Sequence, residues 1–76
     1  MSHIIDVRTP EEYATGHKSG AINFDVRRLV GGELPDLPVG ATIEVYCASG
    51  FRSARAAHIL TDAGFTNVKD AGGYRG

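Results

Sequence analysis

Apolar residues gather along this chain in short runs separated by glycine- and proline-containing stretches, and only one run is long enough to repeat with helical spacing. Ile4-Ile5-Asp6-Val7 is too short for a helix and rich in β-branched residues, which predicts a buried strand. It stops at Thr9-Pro10-Glu11-Glu12, which has a hydroxyl at the N-cap, proline at the first helical position and glutamate three residues after the cap. That arrangement satisfies orphan amides reciprocally and predicts a short helix through Tyr13 and Ala14, ended by Gly16. After a loop from His17 to Gly20, Ala21-Ile22-Asn23-Phe24 reads as a second strand. Residues 25 to 40 read mostly as loop, punctuated by Gly31-Gly32, Pro35 and Pro38, with at most one helical turn at Arg27-Arg28-Leu29-Val30. Thr42-Ile43-Glu44-Val45-Tyr46 is the clearest strand. The helix predicted over Ser53 to Ala63 places Ala56, Ile59, Leu60 and Ala63 on one face, and Gly64 closes it. A last short strand is expected at Asn67-Val68-Lys69, before Asp70-Ala71-Gly72-Gly73-Tyr74.

Strands alternating with helices predict an α/β fold, a small and mainly parallel β-sheet flanked by helices on both faces, with ligands bound at the carboxyl ends of the strands. At 76 residues the chain has room for one domain, spanning 1–76. Such a domain buries only about 60 to 65% of the surface its unfolded form exposes, so its core is thin.

Charge and composition narrow the function. Eight basic against nine acidic side chains leave a net charge of -1 without a run of like charges, so neither nucleic acid nor an anionic membrane is an expected partner. A hydrophobic fraction of 42% with 22% charged residues excludes disorder. No stretch approaches the roughly 18 apolar residues that cross a bilayer, and the amino end lacks the pattern of a signal peptide. The chain is expected to be soluble and cytoplasmic; removal of a signal peptide would leave no trace, which keeps the periplasm open. The single cysteine, Cys47, rules out an internal disulfide framework. His3, His17 and His58 show no ligand spacing, so no metal site is expected.

Cys47-Ala48-Ser49-Gly50-Phe51-Arg52-Ser53 joins the carboxyl end of a strand to the amino end of a helix, where a nest of backbone amides and the helix dipole favour an anion. Glycine at 50 lets the loop curl. A thiolate there is stabilised and becomes a nucleophile near neutral pH. Arg52, five residues on, is placed to bring a forked, permanently charged guanidinium to the same cavity. Arg55, a turn farther along, is expected to face water. Asp6 and Arg8 flank Val7 on one sheet face and are expected to tie the strand end to Glu11 or Glu12. Tyr74 either roofs the cavity or packs on the loop.

The chain resembles the single-domain rhodaneses, sulfurtransferases that carry transferable sulfur as a cysteine persulfide. The resemblance runs through Asp6-Val7-Arg8, Pro10-Glu11-Glu12-Tyr13, Gly16-His17, Gly20-Ala21-Ile22-Asn23, Val45-Tyr46-Cys47 with Gly50 and Arg52-Ser53, and Asp70-Ala71-Gly72-Gly73-Tyr74. It implies a rhodanese-like fold, minimal or truncated at both ends: related domains usually carry a strand and helix before the Asp6 segment and a helix after the double glycine. It implies Cys47 as sulfur acceptor, the amides of Ala48, Ser49, Gly50, Phe51 and Arg52 as a substrate cradle, and Arg52 as an anion-orienting group. His17 matches a structural position.

The expected reaction moves sulfane sulfur from thiosulfate or a related donor to cyanide or a thiol, a thiol protein included, with no cofactor. The alternatives are a cysteine-dependent phosphatase and a non-catalytic binding module on the same fold. The phosphatase loop has five residues between cysteine and arginine; Ala48 to Phe51 make four, a cradle sized for one sulfur rather than a tetrahedral ester.

Overall fold

The computed structural model describes residues 2–74. Strand β1 (Ser2–Asp6) is followed by helix α1 (Pro10–Ala14), strand β2 (Ile22–Asn23), helix α2 (Val26–Val30), strand β3 (Thr42–Cys47), helix α3 (Phe51–Asp62) and strand β4 (Val68–Gly73). The four strands form one all-parallel sheet in the order β2-β1-β3-β4. From β1 the chain steps outward to β2, returns across β1 to β3, and continues to β4. With right-handed crossovers, this reversal puts α1 on one face and α2 with α3 on the other. It also makes the gap between the carboxyl ends of β1 and β3 the switch point, the crevice where such sheets bind ligands.

Alternation along the strands builds the core. Ile5, Val7, Ile43, Val45 and Cys47 turn toward α2 and α3, where they meet Phe24, Val26, Leu29, Ala56, Leu60 and Phe65. A Schellman turn ends α3: the Phe65 amide donates to the Leu60 carbonyl and the Gly64 amide to that of Thr61, which swings Phe65 into this core. On the other face, Tyr46 is fully buried, donating its hydroxyl to Asp6 Oδ2 at 2.9 Å and accepting from the Lys18 amide at 3.0 Å. The segment leaving α1 covers this face.

Asp6 and Arg8 pair with each other rather than with the glutamates. Arg8 donates from Nε to both Asp6 oxygens at 3.0 Å and from Nη2 to Oδ2 at 2.7 Å, and its Nη2 also reaches the Gly16 carbonyl. Its guanidinium lies 5.1 Å from the Tyr74 ring, which tilts against Tyr46 at 5.2 Å. Tyr74 therefore covers an ion pair, away from the cysteine loop. The capping box of α1 is present as expected, with Thr9 Oγ1 accepting from the Glu12 amide and Glu12 Oε1 accepting from that of Thr9. His17 stacks on Tyr13 at 3.6 Å and its Nδ1 contacts the Tyr13 carbonyl, a structural role.

Two elements exceed the expectation. Residues 26 to 30 form a full short helix, capped by the Asp25 carboxylate on the Arg27 amide. Strand β4 runs on to Gly73 because its end pairs with the cysteine strand across an irregularity: Val45 pairs with Asp70, but Cys47 pairs with Gly73. One residue of β3, Tyr46, thus faces two of β4, Ala71 and Gly72, a bulge closed by the Asp70 carboxylate accepting from the Gly72 amide at 2.9 Å.

Candidate active site

Cys47 is the last residue of β3 and is fully buried. Beyond it the chain turns through residues 48 to 50 into α3. Gly50, the residue before the helix, has φ +100°, a left-handed conformation that a side chain would oppose. The turn points backbone amides inward: Gly50 N–H donates to Cys47 Sγ at 3.0 Å and Ser53 N–H at 3.3 Å. Behind the turn, the Tyr74 amide donates to the Cys47 carbonyl at 2.7 Å. The approach leaves no space: a Cβ on Gly73 would stand 2.7 Å from the Ala48 carbonyl oxygen. The double glycine thus lets β4 brace the back of the loop.

Ser53 completes the sulfur's surroundings. Its Oγ lies 3.5 Å from Cys47 Sγ and 3.1 Å from the Gly50 carbonyl. With a neutral thiol, S–H donates to the hydroxyl, which donates onward to Gly50. With a thiolate, the hydroxyl turns its hydrogen to the sulfur. Burial by itself pushes the Cys47 thiol up, but the Ser53 hydroxyl and the amides of Ser53, Gly50 and Ser49 outweigh it and hold the thiol below its ordinary value. Ser53→Ala should therefore move the acid limb of Cys47 alkylation by iodoacetamide to higher pH. An unmoved limb would show that the hydroxyl does not stabilise the thiolate.

The expected cradle is only partly turned toward the sulfur. Gly50 is a direct donor and Ser49 adds to the field, while no contact to Sγ is made by the amides of Ala48, Phe51 or Arg52 among the described residues. Phe51 projects outward, 84% exposed. Arg52 turns its fork onto Glu12, with Nη1 to Oε1 at 2.6 Å and Nη2 to Oε2 at 3.0 Å. This pair spans the crevice between the segments that follow β1 and β3. Hydrogen bonds from Arg52, against burial and with help from Thr9, push the Glu12 carboxyl down to about 2, so the pair stays ionised throughout the neutral range. Glu12 and Ser53 were not among the expected site residues. Ser53 had a signal, a hydroxyl in the first helical turn; Glu12 had none beyond its cap.

Arg52 also lines a cavity of about 420 Å³ between α2 and α3, together with Val26, Arg27, Val30, Phe51 and Arg55. Arg55 is exposed as expected, yet shares this cavity with Arg52. No helix among the described residues is long and apolar enough to cross a membrane.

Comparison with known proteins agrees with this geometry. Residues 1–76 match the family described as Rhodanese-like domain. The chain is 41% identical over 76 residues to the thiosulfate sulfurtransferase PspE of Escherichia coli (strain K12), covering 96% of this chain and 71% of that protein. Among solved structures, a human single-domain sulfurtransferase, TSTD1, superposes with a TM-score of 0.87 at 26% identity, over 97% of this chain and 78% of its own. A rhodanese with anions from E. coli superposes with a TM-score of 0.81 at 39% identity, over 96% of this chain and 87% of its own.

Proposed function

Because the chain belongs to the rhodanese-like family and is an enzyme of the thiosulfate sulfurtransferase type, we propose that Cys47 carries the sulfur and that the turn from Ala48 to Ser53 stabilises its charge. The Cys47 thiolate attacks the outer sulfur of thiosulfate or a related donor. The donor's S–S bond breaks and sulfite leaves with the electron pair, so a persulfide remains on Cys47. Cyanide or a thiolate then attacks the outer sulfur, forming thiocyanate or a new persulfide, and the pair returns to Cys47 Sγ. One group is nucleophile in the first half and leaving group in the second, and a depressed thiol pKa serves both.

The observation that carries this reading is the ring of donors on a fully buried sulfur, the Gly50 and Ser53 amides with the Ser53 hydroxyl beside them. Such preorganised donors act on charge without reorganising during the reaction. Amides of residues 48, 51 and 52, idle toward Sγ itself, line the turn where an outer sulfur or a departing sulfite would sit. Arg52 would orient an anionic donor. Its fork is held by Glu12, so its contribution is a fixed direction rather than a free charge. The E. coli rhodanese is described with anions, which is in keeping with an anion-binding role for this loop.

The deciding experiment is intact mass after incubation with thiosulfate, read before and after a reducing agent. One sulfur atom gained and then lost supports the persulfide. A mass that never changes, in protein whose thiol alkylates normally, would refute it.

A further inference from the structure

The cavity beside the cysteine loop has features that the core does not need. Three arginines, Arg27, Arg52 and Arg55, line it together with Val26, Val30 and Phe51. Two of the cations are matched: Arg27 by the Asp25 carboxylate, at 3.0 Å through Nε, and Arg52 by Glu12. Arg55 forms no ion pair among the described residues, so the cavity holds one surplus positive charge. Its apolar surface is equally unclaimed, with Val30 52% and Phe51 84% exposed. An unmatched cation next to exposed apolar surface suits a ligand with a carboxylate on a short hydrocarbon body. A hollow of about 420 Å³ takes a small molecule.

The cavity also adjoins the end of the sulfur loop through two of its lining residues. Phe51 and Arg52 directly follow the turn around Cys47 and both line the cavity. We infer that this cavity is the acceptor subsite, and that it selects small thiols carrying a carboxylate, with Arg55 reading the carboxylate and Val26, Val30 and Phe51 the hydrocarbon. The inference rests on the sulfur-transfer reading above. The acceptor loses its thiol proton to solvent; its thiolate attacks the outer sulfur of the Cys47 persulfide. The bond to Cys47 breaks, the electron pair returns to Sγ, and the product leaves as a carboxylated persulfide.

The test compares mercaptohexanoate with mercaptohexanol, whose thiols are chemically matched, as acceptors from thiosulfate-loaded protein. Their ratio of kcat/KM cancels any change in sulfur loading. At low ionic strength the parent should favour the carboxylate by about 5- to 10-fold, and salt should reduce that preference. In Arg55→Gln the ratio should fall close to one; in Arg55→Lys it should stay above one. A parent ratio near one while cyanide still accepts sulfur, or an Arg55→Gln ratio equal to the parent's, would overturn the subsite and leave the persulfide reading standing. The subsite is overturned as well if a protein thiol is the only efficient acceptor and Arg55→Gln does not affect it. Should no persulfide form at all, the proposed function fails first, and hexanoate titrated into nitrogen-15-labelled protein decides the subsite. Saturable shifts of the Val30, Phe51, Arg52 and Arg55 amides support it, and their absence overturns it.

Discussion

Cys47→Ser is expected to lower thiosulfate-to-cyanide sulfur transfer by at least roughly a thousandfold, the scale on which covalent catalysts lose their nucleophile. The serine hydroxyl would meet the same donors, the Gly50 and Ser53 amides and the Ser53 hydroxyl. Those donors hold a thiol below its ordinary pKa, but a hydroxyl starts far above a thiol and forms no persulfide. The substitution is small and the site is already hydrogen-bonded, so the fold should persist. Thiocyanate formation measures the effect, with circular dichroism as the control. Turnover retained in a folded Cys47→Ser protein would remove Cys47 from the mechanism.

Asp6→Asn should be the most destabilising single change outside the sulfur site. Asp6 is fully buried and accepts four hydrogen bonds from Arg8, one of them from its backbone amide at 2.9 Å, and one from the Tyr46 hydroxyl. The Arg8 side chain is 8% exposed, so without the carboxylate its charge stays buried and unmatched, with only the asparagine amide oxygen and the Gly16 carbonyl as acceptors for its side chain, while the new amide NH2 faces its donors. Breaking a buried pair from one side costs about 3–5 kcal/mol. That is a large share of the roughly 4–11 kcal/mol expected for a chain of this length. Urea unfolding followed by circular dichroism measures it, and a loss under about 1 kcal/mol would mean that the pair is not an anchor. Adding Arg8→Met should restore part of the loss, because it removes the stranded charge.

The same pair sets a pH dependence. Burial raises the Asp6 carboxyl, but the Arg8 hydrogen bonds and the Tyr46 hydroxyl outweigh it, leaving the folded-state value below the ordinary 3.8. A depressed carboxyl contributes stability above its unfolded pKa and loses it as pH falls through the folded one. Acid unfolding of the parent should therefore be steepest below pH 3.8, and Asp6→Asn should flatten it.

What is legible in the sequence follows from the range of the interactions. The α1 capping box is readable because Thr9 and Glu12 are three residues apart, and the cysteine turn because its Gly50 and helix start are contiguous with Cys47. Helix α2 is unreadable as a helix because five residues offer only Val26 and Leu29 as buried spacing, with its cap and pair supplied by one aspartate. The partner of Arg52 is out of reach for a different reason. Glu12 lies 40 residues away, and only the parallel pairing of β1 with β3 brings the two segments together. For Asp6 and Arg8 the sequence points to partners in α1, but the carboxylate is matched by its own neighbour and by Tyr46, a contact that depends on sheet register. Likewise the cavity between α2 and α3 depends on α2 being a helix.

The extra residue in β4 works on this chain as a frameshift works on a message. Side chains alternate along a strand, so inserting one residue exchanges the faces of everything that follows. Counted from Asp70 in regular register, Tyr74 would fall on the side of α3 and Cys47. Displaced by one position, it falls on the side of Tyr46 and Arg8, where its ring stands 5.1 Å from the guanidinium. The same displacement sets Gly73 opposite Cys47, the position where a side chain would strike the Ala48 carbonyl. The aromatic cover of the buried ion pair and the gap behind the sulfur loop thus share one origin, and the length of the segment from Asp70 to Tyr74 is as constrained as its composition.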